Sequence, residues 1–543
     1  MKLYEAIARS LADLEVSRLF GLIGDANLFM VDAYIRNHGG AYTAAVHEAG
    51  VVLMALGHAR VSGEIGVATV THGPALTNTL TALIEGVKTA TPIVLLAGDT
   101  PVADREHAQN INQREFIMAT GAGFEQLRAP ATLADDLART FRRAGQERRP
   151  VVLNMPIEFM WQEVEYTAPR VYFPESRSVI SSSTDMDNAI GIIASSRLPV
   201  VIGGRGAADP DAEAAIQRLA RRIEAPVATT VRGKGLFSDD PFNLGICGTI
   251  ANPVAMEVLG AADCLLVFGA SLNQYTAGLG GLTRGKRIVH VEPAASQIGR
   301  FTPVDAGLVG DLRLTADAML KWIDEAEIPG SGARTDDLLA KLTAMRSREA
   351  RFPRKPRPGT VDLLEALQAL DRSFPEDRVY VSDTGRFLVG AWPLVRVRNP
   401  RDYVDTIGFA AIGLGLATAI GAAKAAGDRP TLLVTGDGGF MLGGVSELAT
   451  AMREQLDLTI VVCNDGGYGA EYIQYAARDM DPSLSLQHWP DLANIARGFG
   501  LEATSVTSTE ELQAAMRAIA GSERKGPRLI DIQIDPACMP IGH

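Results

Sequence analysis

Cysteine is scarce: the 543 residues hold four, Cys247, Cys264, Cys463 and Cys538, with no CxxC spacing. Nothing in that pattern argues for a disulfide framework. Cys264 in CLLVFGA and Cys463 in IVVCND lie in apolar, strand-like runs and read as small core residues. The formal charge is -12 and no basic run interrupts it, which sets nucleic acid and an anionic membrane surface aside as partners. No apolar run reaches the length of a membrane span. The opening MKLYEAIARSLADLEV carries acidic residues at helical spacing, unlike a secretory signal or a transit peptide. A cytoplasmic protein without a membrane partner is the expectation.

What is present is an alternation. Hydrophobic residues make up 47% and glycine contributes 54 positions, a composition that suits an α/β protein with many tight turns. Short apolar strands such as RLFGLIG, IGVATVT, TPIVLLAG and RPVVLNMP alternate with helical segments over 1–165. A second block, 186–335, contains LPVVIGG, CLLVFGA and RIVHVEP, without a strict GxGxxG and its acid. A third, 359–543, contains RVYVSDTG, TLLVTGDGG, LTIVVCNDG and PRLIDIQID. The runs APRVYFPESRSVISSSTD and RFPRKPRPG read as linkers, giving three parallel-sheet α/β domains.

The most specific pattern is Gly436-Asp437-Gly438, with Asn464 following 27 residues after Asp437 and Gly466 just beyond. It reads as strand, glycine turn, helix and second strand. One carboxylate, one carboxamide oxygen and one bare carbonyl then meet at neighbouring strand ends. Three hard oxygen donors, with glycines that admit a phosphate, suit octahedral magnesium on a diphosphate.

This motif and the three-block layout resemble the thiamine-diphosphate enzymes of the acetolactate synthase and pyruvate decarboxylase superfamily, over nearly the whole chain. The resemblance implies pyrimidine-binding, central and diphosphate-binding domains for the three blocks. It gives the metal to Asp437, Asn464 and the Gly466 carbonyl, although Cys463 replaces the first of the family's two asparagines. It gives Glu48, in the apolar run AAVHEAGVVLMALGHAR, contact with N1′ of the aminopyrimidine and removal of the thiazolium C2 proton. The alternative for Glu48 is a first-turn helix carboxylate, and His47 is as well explained by helix-start packing. Ile412 falls where the family wedges the cofactor's two rings together; an ordinary core isoleucine is the alternative. Further cofactor contacts are expected from Ser382, Asp383, Thr384 and Gly385, from Gly436, Gly438 and Gly439, and from Tyr468 and Gly469. The pyrimidine domain of one copy would meet the diphosphate domain of another, so a homodimer is the minimum and a homotetramer the common state. TTVRGKGLF at 229–237 resembles the synthases' FAD segment; a structural loop explains it equally, and FAD stays outside the expected cofactors, thiamine diphosphate and Mg2+.

On the substrate side, Asp25 and Asn27 resemble the GDxN of the decarboxylases, where the aspartate handles protons, although a turn aspartate would look the same. His72 replaces a synthase serine and could donate a proton or hold a carboxylate, or be satisfied by backbone as a loop residue. Gln113 matches the synthase glutamine that approaches the intermediate's oxygen, with Asn112 in place of phenylalanine. The decarboxylases' paired histidines are missing from that segment, which has only His107 nearby. YGAEYIQY, with Tyr468, Glu471 and Tyr472, lacks the synthases' tryptophan pattern. The expected chemistry is decarboxylation of a 2-oxo acid, carboligation to a 2-hydroxy ketone, or both. Non-decarboxylating cleavage of a 2-hydroxy ketone or 1,2-diketone is the alternative, and an NAD-dependent oxidoreductase ranks below both.

Overall fold

The computed structural model describes residues 1–104, 106–173, 183–347, 355–521 and 526–538. Both expected linkers fall partly outside the described residues. Among the described residues, strands assemble into three six-stranded sheets, every pairing parallel. The first holds β1 (Leu19–Gly21), β2 (Tyr42–Ala44), β3 (Gly66–Val70), β4 (Ile93–Asp99), β5 (Gly123–Gln126) and β6 (Pro150–Pro156). The second holds β7 (Pro199–Gly203), β8 (Val227–Thr229), β9 (Asn243–Ile246), β10 (Cys264–Phe268), β11 (Arg287–Glu292) and β12 (Ala306–Val309). The third holds β13 (Val379–Ser382), β14 (Tyr403–Asp405), β15 (Thr431–Gly436), β16 (Leu458–Asn464), β17 (Glu502–Val506) and β18 (Arg528–Gln533). Central strands such as β4, β6 and β16 read as continuous apolar runs because helices cover both faces of a parallel sheet.

The first and third sheets share one strand order, β2-β1-β3-β4-β6-β5 and β14-β13-β15-β16-β18-β17. The outer domains therefore repeat a topology that their sequences do not advertise. The middle sheet, β12-β11-β10-β7-β8-β9, follows the dinucleotide-fold order despite its missing glycine fingerprint. In such sheets ligands bind beyond the carboxyl ends of the strands, where the order reverses. The outer domains reverse between β1 and β3, and between β13 and β15. Asp25 and His72 follow the first pair; Asp383 and Asp437 follow the second.

The outer domains meet through two helices, Glu48–Ser62 and Gly415–Ala426. Glycines bring their backbones into contact: a Cβ at Gly57 would overlap the Thr418 carbonyl, and one at Gly421 would overlap that of Met54. One apolar cluster, including Val52, Leu56, Leu416 and Ile420, crosses this boundary. The central domain docks through TTVRGKGLF. Arg232 grips Asp405 with Nε–Oδ2 at 3.0 Å and Nη2–Oδ1 at 2.9 Å. Lys234 donates to the Trp392 carbonyl, and burial lowers its pKa to about 7. The two basic groups of the segment that resembles the FAD loop thus hold the third domain. Cys247, Cys264 and Cys463 are free and buried, as the apolar contexts of Cys264 and Cys463 led us to expect for those two. No described helix is long and apolar enough to cross a membrane.

Candidate active site

The third sheet delivers the residues expected to hold a metal from adjacent strands. β15 ends at Gly436, paired in register with Cys463 of β16, so Asp437 and Asn464 leave the sheet side by side. Asp437 opens a short helix, is buried, and accepts Trp489 Nε1 on Oδ2 at 2.7 Å. Asn464 donates Nδ2 to Asp531 Oδ1 at 2.9 Å, which turns its Oδ1 toward the Gly466 N–H at 3.1 Å. Gly466 holds the left-handed region at φ +79, and its carbonyl already accepts Gln487 N at 2.7 Å.

Sequence reasoning missed Asp465. It is buried and in hydrogen-bond contact with Asp437; burial first, and then the neighbouring charge, push its pKa up. Asp437 is also raised by burial, and Asp531 is pushed up to about 6 by the same cause. A Cβ at Gly469 would overlap Asp465 Oδ2, so glycine there admits this carboxylate. The signal was available, since Asp465 adjoins Asn464 in CND. A divalent cation fits these donors: they are hard oxygens, and two buried carboxylates in contact need positive charge to offset repulsion and desolvation.

In the loop after β13 the polar side chains have hydrogen-bond partners within the protein. Asp383 accepts four hydrogen bonds, from Thr384 N, Thr406 Oγ1, Gly413 N and Thr435 Oγ1, at 2.7–3.2 Å. Ser382 pairs with the Tyr403 hydroxyl at 2.9 Å, and Thr384 Oγ1 donates to the Thr406 carbonyl at 3.1 Å. These side chains are engaged internally; they tie together the segments that carry Ile412 and Asp437, and Gly385 packs against the Phe387 ring. Ile412 is half-buried, one residue before the Gly413 amide that Asp383 holds. Gly438 and Gly439 are demanded by packing. A Cβ at Gly438 would lie 2.9 Å from the Tyr468 ring, and one at Gly439 would lie 2.8 Å from Asp383 Oδ2. Glu471 is exposed and Tyr472 half-buried on the helix Gly469–Ala476.

In the first domain Glu48 begins its helix half-exposed, and Oε2 accepts Asn78 Nδ2 at 3.0 Å. It is a first-turn carboxylate, and the turn presents it outward. His47 caps the helix through Nδ1, which accepts Ala49 N at 3.1 Å. In the GDAN turn Asp25 is exposed, while buried Asn27 accepts Gly24 N at 2.7 Å and donates to Leu22 O at 3.1 Å. Gln113 had been expected to reach the intermediate's oxygen. Its Oε1 accepts Gly73 N at 2.8 Å, and its Nε2 donates to Gly98 O and Asn154 Oδ1, so it braces the His72–Gly73 turn. The histidine pair missing from one segment forms from two: the His72 and His107 rings stand 5.4 Å apart. Burial lowers the His72 pKa, so it is neutral at pH 7.

Within one chain, these groups occupy the switch points of two domains. Among the described hydrogen bonds, none joins Glu48 to Asp437, Asn464 or Asp465.

Three family profiles follow one another along the chain in the order of the three sheets. Residues 1–118 match the thiamine pyrophosphate enzyme N-terminal TPP binding domain, 186–319 its central domain, and 383–532 its C-terminal TPP binding domain. A probable acetolactate synthase large subunit of Methanocaldococcus jannaschii is 27% identical, covering 99% of this chain and 92% of its own length. A sulfoacetaldehyde acetyltransferase of Castellaniella defragrans is 26% identical over 98% of this chain and 92% of its own length. A probable 2-ketoarginine decarboxylase of Pseudomonas aeruginosa is 27% identical over 97% and 93%. The relatives are named for different reactions and different substrates: a synthase, an acetyltransferase and a decarboxylase. With two TPP-binding domains, a central domain between them and three parallel sheets to match, the chain belongs to the thiamine pyrophosphate-dependent enzymes, among the relatives of acetolactate synthase.

Proposed function

We propose that this protein decarboxylates a 2-oxo acid at a thiamine diphosphate–magnesium centre shared between two copies of the chain. The product leaves as an aldehyde or is joined to a second carbonyl as a 2-hydroxy ketone. The observation that carries the reading is the buried contact of the Asp437 and Asp465 carboxylates beside Asn464 at one switch point, with Glu48 half-exposed at the start of a helix in the other domain.

Asp437 and Asn464 would hold magnesium through side-chain oxygens and Gly466 through the remaining lone pair of its carbonyl, with Asp465 adding negative charge. Bound there, thiamine diphosphate supplies the electron sink that lets the bond to a carboxylate break. Glu48 would hold and exchange a proton at N1′ of the aminopyrimidine, a task that requires contact. Ile412, half-buried one residue before the Gly413 amide that Asp383 holds, would supply the bulky apolar side chain that wedges the cofactor's two rings. His72, His107 and Asp25 gather exchangeable protons on the substrate side, and Gln113 keeps the His72 turn in place. Exposed Val46, Phe409 and Leu442 flank these segments and supply apolar surface for a second copy.

The test is carbon dioxide release, with thiamine diphosphate and magnesium, across aliphatic, branched and aromatic 2-oxo acids, with and without an aldehyde acceptor. Release with one acid supports the reading, and its product separates aldehyde formation from carboligation. Silence across the panel, in protein shown to bind the cofactor, moves the assignment to cleavage of a hydroxy ketone or diketone.

A further inference from the structure

The start of the Glu48 helix is fixed from outside its own domain. Glu447, buried in the third domain, accepts the N–H groups of Val46 and His47 on Oε1 at 3.0 and 3.1 Å. Its Oε2 takes the Thr450 hydroxyl at 2.7 Å. A Cβ at Gly50 would overlap Oε1, so the third residue of the catalytic helix is one that lets this carboxylate seat. The Arg453 guanidinium adds a hydrogen bond to the Ala44 carbonyl at the end of β2.

The arrangement has a twin. Glu85, buried in the first domain, accepts Gly408 N on Oε1 at 2.9 Å and Phe409 N on Oε2 at 2.6 Å. A Cβ at Gly408 would lie 2.8 Å from Glu85 Oε1. Glu85 follows β3 and Glu447 follows β15, the same place in the repeated strand order. Val46 and His47 follow β2, and Gly408 and Phe409 follow β14, again the same place. Each outer domain thus lends one buried carboxylate to two consecutive amides of the other. Charge-assisted hydrogen bonds to backbone N–H are short, directional and roughly twice as strong as neutral ones.

The location of the amides sets these bonds apart from general packing. One pair directly precedes Glu48; the other precedes Ile412 by three residues. Glu447 itself lies ten residues after Asp437 on the same chain. We propose that Glu447 is a positioning residue for Glu48: by holding the Val46 and His47 amides it sets the direction in which the Glu48 carboxylate leaves its helix, and it ties that direction to the Asp437 turn. The proposal rests on the reading of Glu48 as the proton-exchanging group. Glu85 does the same for the segment that carries Ile412. Removing Glu447 leaves two amides without their acceptor and the catalytic carboxylate free to swing, while the oxygen cluster on β15 and β16 stays intact.

Glu447→Ala and Glu447→Gln test this, with Glu48→Gln as reference. In cofactor-free protein, hydrogen–deuterium exchange of the backbone over 44–50 should be at least tenfold faster in Glu447→Ala than in the parent. With thiamine diphosphate and magnesium bound, exchange at the cofactor's C2 should fall at least tenfold in Glu447→Ala, at a cofactor affinity within threefold of the parent. Glu447→Gln keeps an oxygen for both amides and a nitrogen for Thr450, and should restore C2 exchange to within threefold. A purely structural role would lower the melting temperature and leave C2 exchange per bound cofactor unchanged, which overturns the proposal. Should Glu447→Ala fail to fold, Glu447→Asp, which keeps the charge and withdraws it by one methylene, carries the same expectations. Slow C2 exchange in Glu48→Gln with full speed in the Glu447 variant sinks the positioning role alone. Full speed in Glu48→Gln sinks the reading of Glu48 first.

Discussion

At the scale of single residues, the site divides into groups that face outward and groups that hold them. Glu48 and Asp25 are presented; Asp383, Gln113 and Asn27 are engaged on every side. The two classes should fail differently. Glu48→Gln keeps the size and the Asn78 contact but loses a proton-transferring group, whose contribution is typically about 10²–10⁴-fold. Turnover should therefore fall by at least that lower bound while thiamine diphosphate affinity stays near the parent's; full activity in purified variant removes Glu48 from the mechanism. Asp437→Ala acts on retention. Equilibrium dialysis should show magnesium-dependent thiamine diphosphate binding weakened at least tenfold, and unchanged affinity would take the metal away from Asp437.

At the scale of elements, the part legible in the sequence was whatever one loop could carry. Asp437, Asn464 and Gly466 leave two adjacent strands, so their spacing along the chain reports their spacing in space. Glu48 stood out as a carboxylate entering an apolar helix, yet it lies half-exposed in the first turn, so no burial cost singles it out. What stayed hidden depends on distant partners: Asp383 is tied to Thr435, 52 residues on, and Gln113 to Gly73, 40 residues back. The shared strand order of the outer sheets is likewise a property of pairing, not of residue identity. The docking elements yield two predictions. Alanine at Gly57 or Gly421 drives a methyl into the facing helix backbone, and overpacking of this kind costs roughly 1–3 kcal/mol. Urea unfolding should show that loss for each, with nothing comparable at Gly191, where a Cβ meets open space. Lys234, lowered to about 7 in the folded chain, holds its proton up to the ordinary lysine value when unfolded. Between those values the unfolded state binds the extra proton, so stability from this group rises with pH, by about 1.4 kcal/mol per unit at most. The parent should gain on Lys234→Met as pH climbs from 7 to 10; a pH-independent difference contradicts the shift.

At the scale of the molecule, one chain holds both halves of the chemistry, yet no described hydrogen bond brings Glu48 to the oxygen cluster. The two helices that join the outer domains pack backbone to backbone, and each domain's carboxylate grips the other's loop. Val46, Phe409 and Leu442 are exposed beside these segments. If a site takes Glu48 from one copy and Asp437 from its partner, two inactive variants should rescue each other. Glu48→Gln keeps a sound metal turn; Asp437→Ala keeps a sound glutamate. Unfolded together and refolded at equal amounts, half of the dimers are mixed, and each mixed dimer has one site with both groups intact. Activity should return to about a quarter of the parent's, because an isologous dimer contains each pairing twice. Each variant refolded alone should stay inactive. A mixture as inactive as its components, with mixed dimers demonstrated by differential tagging, would place the whole site within a single chain.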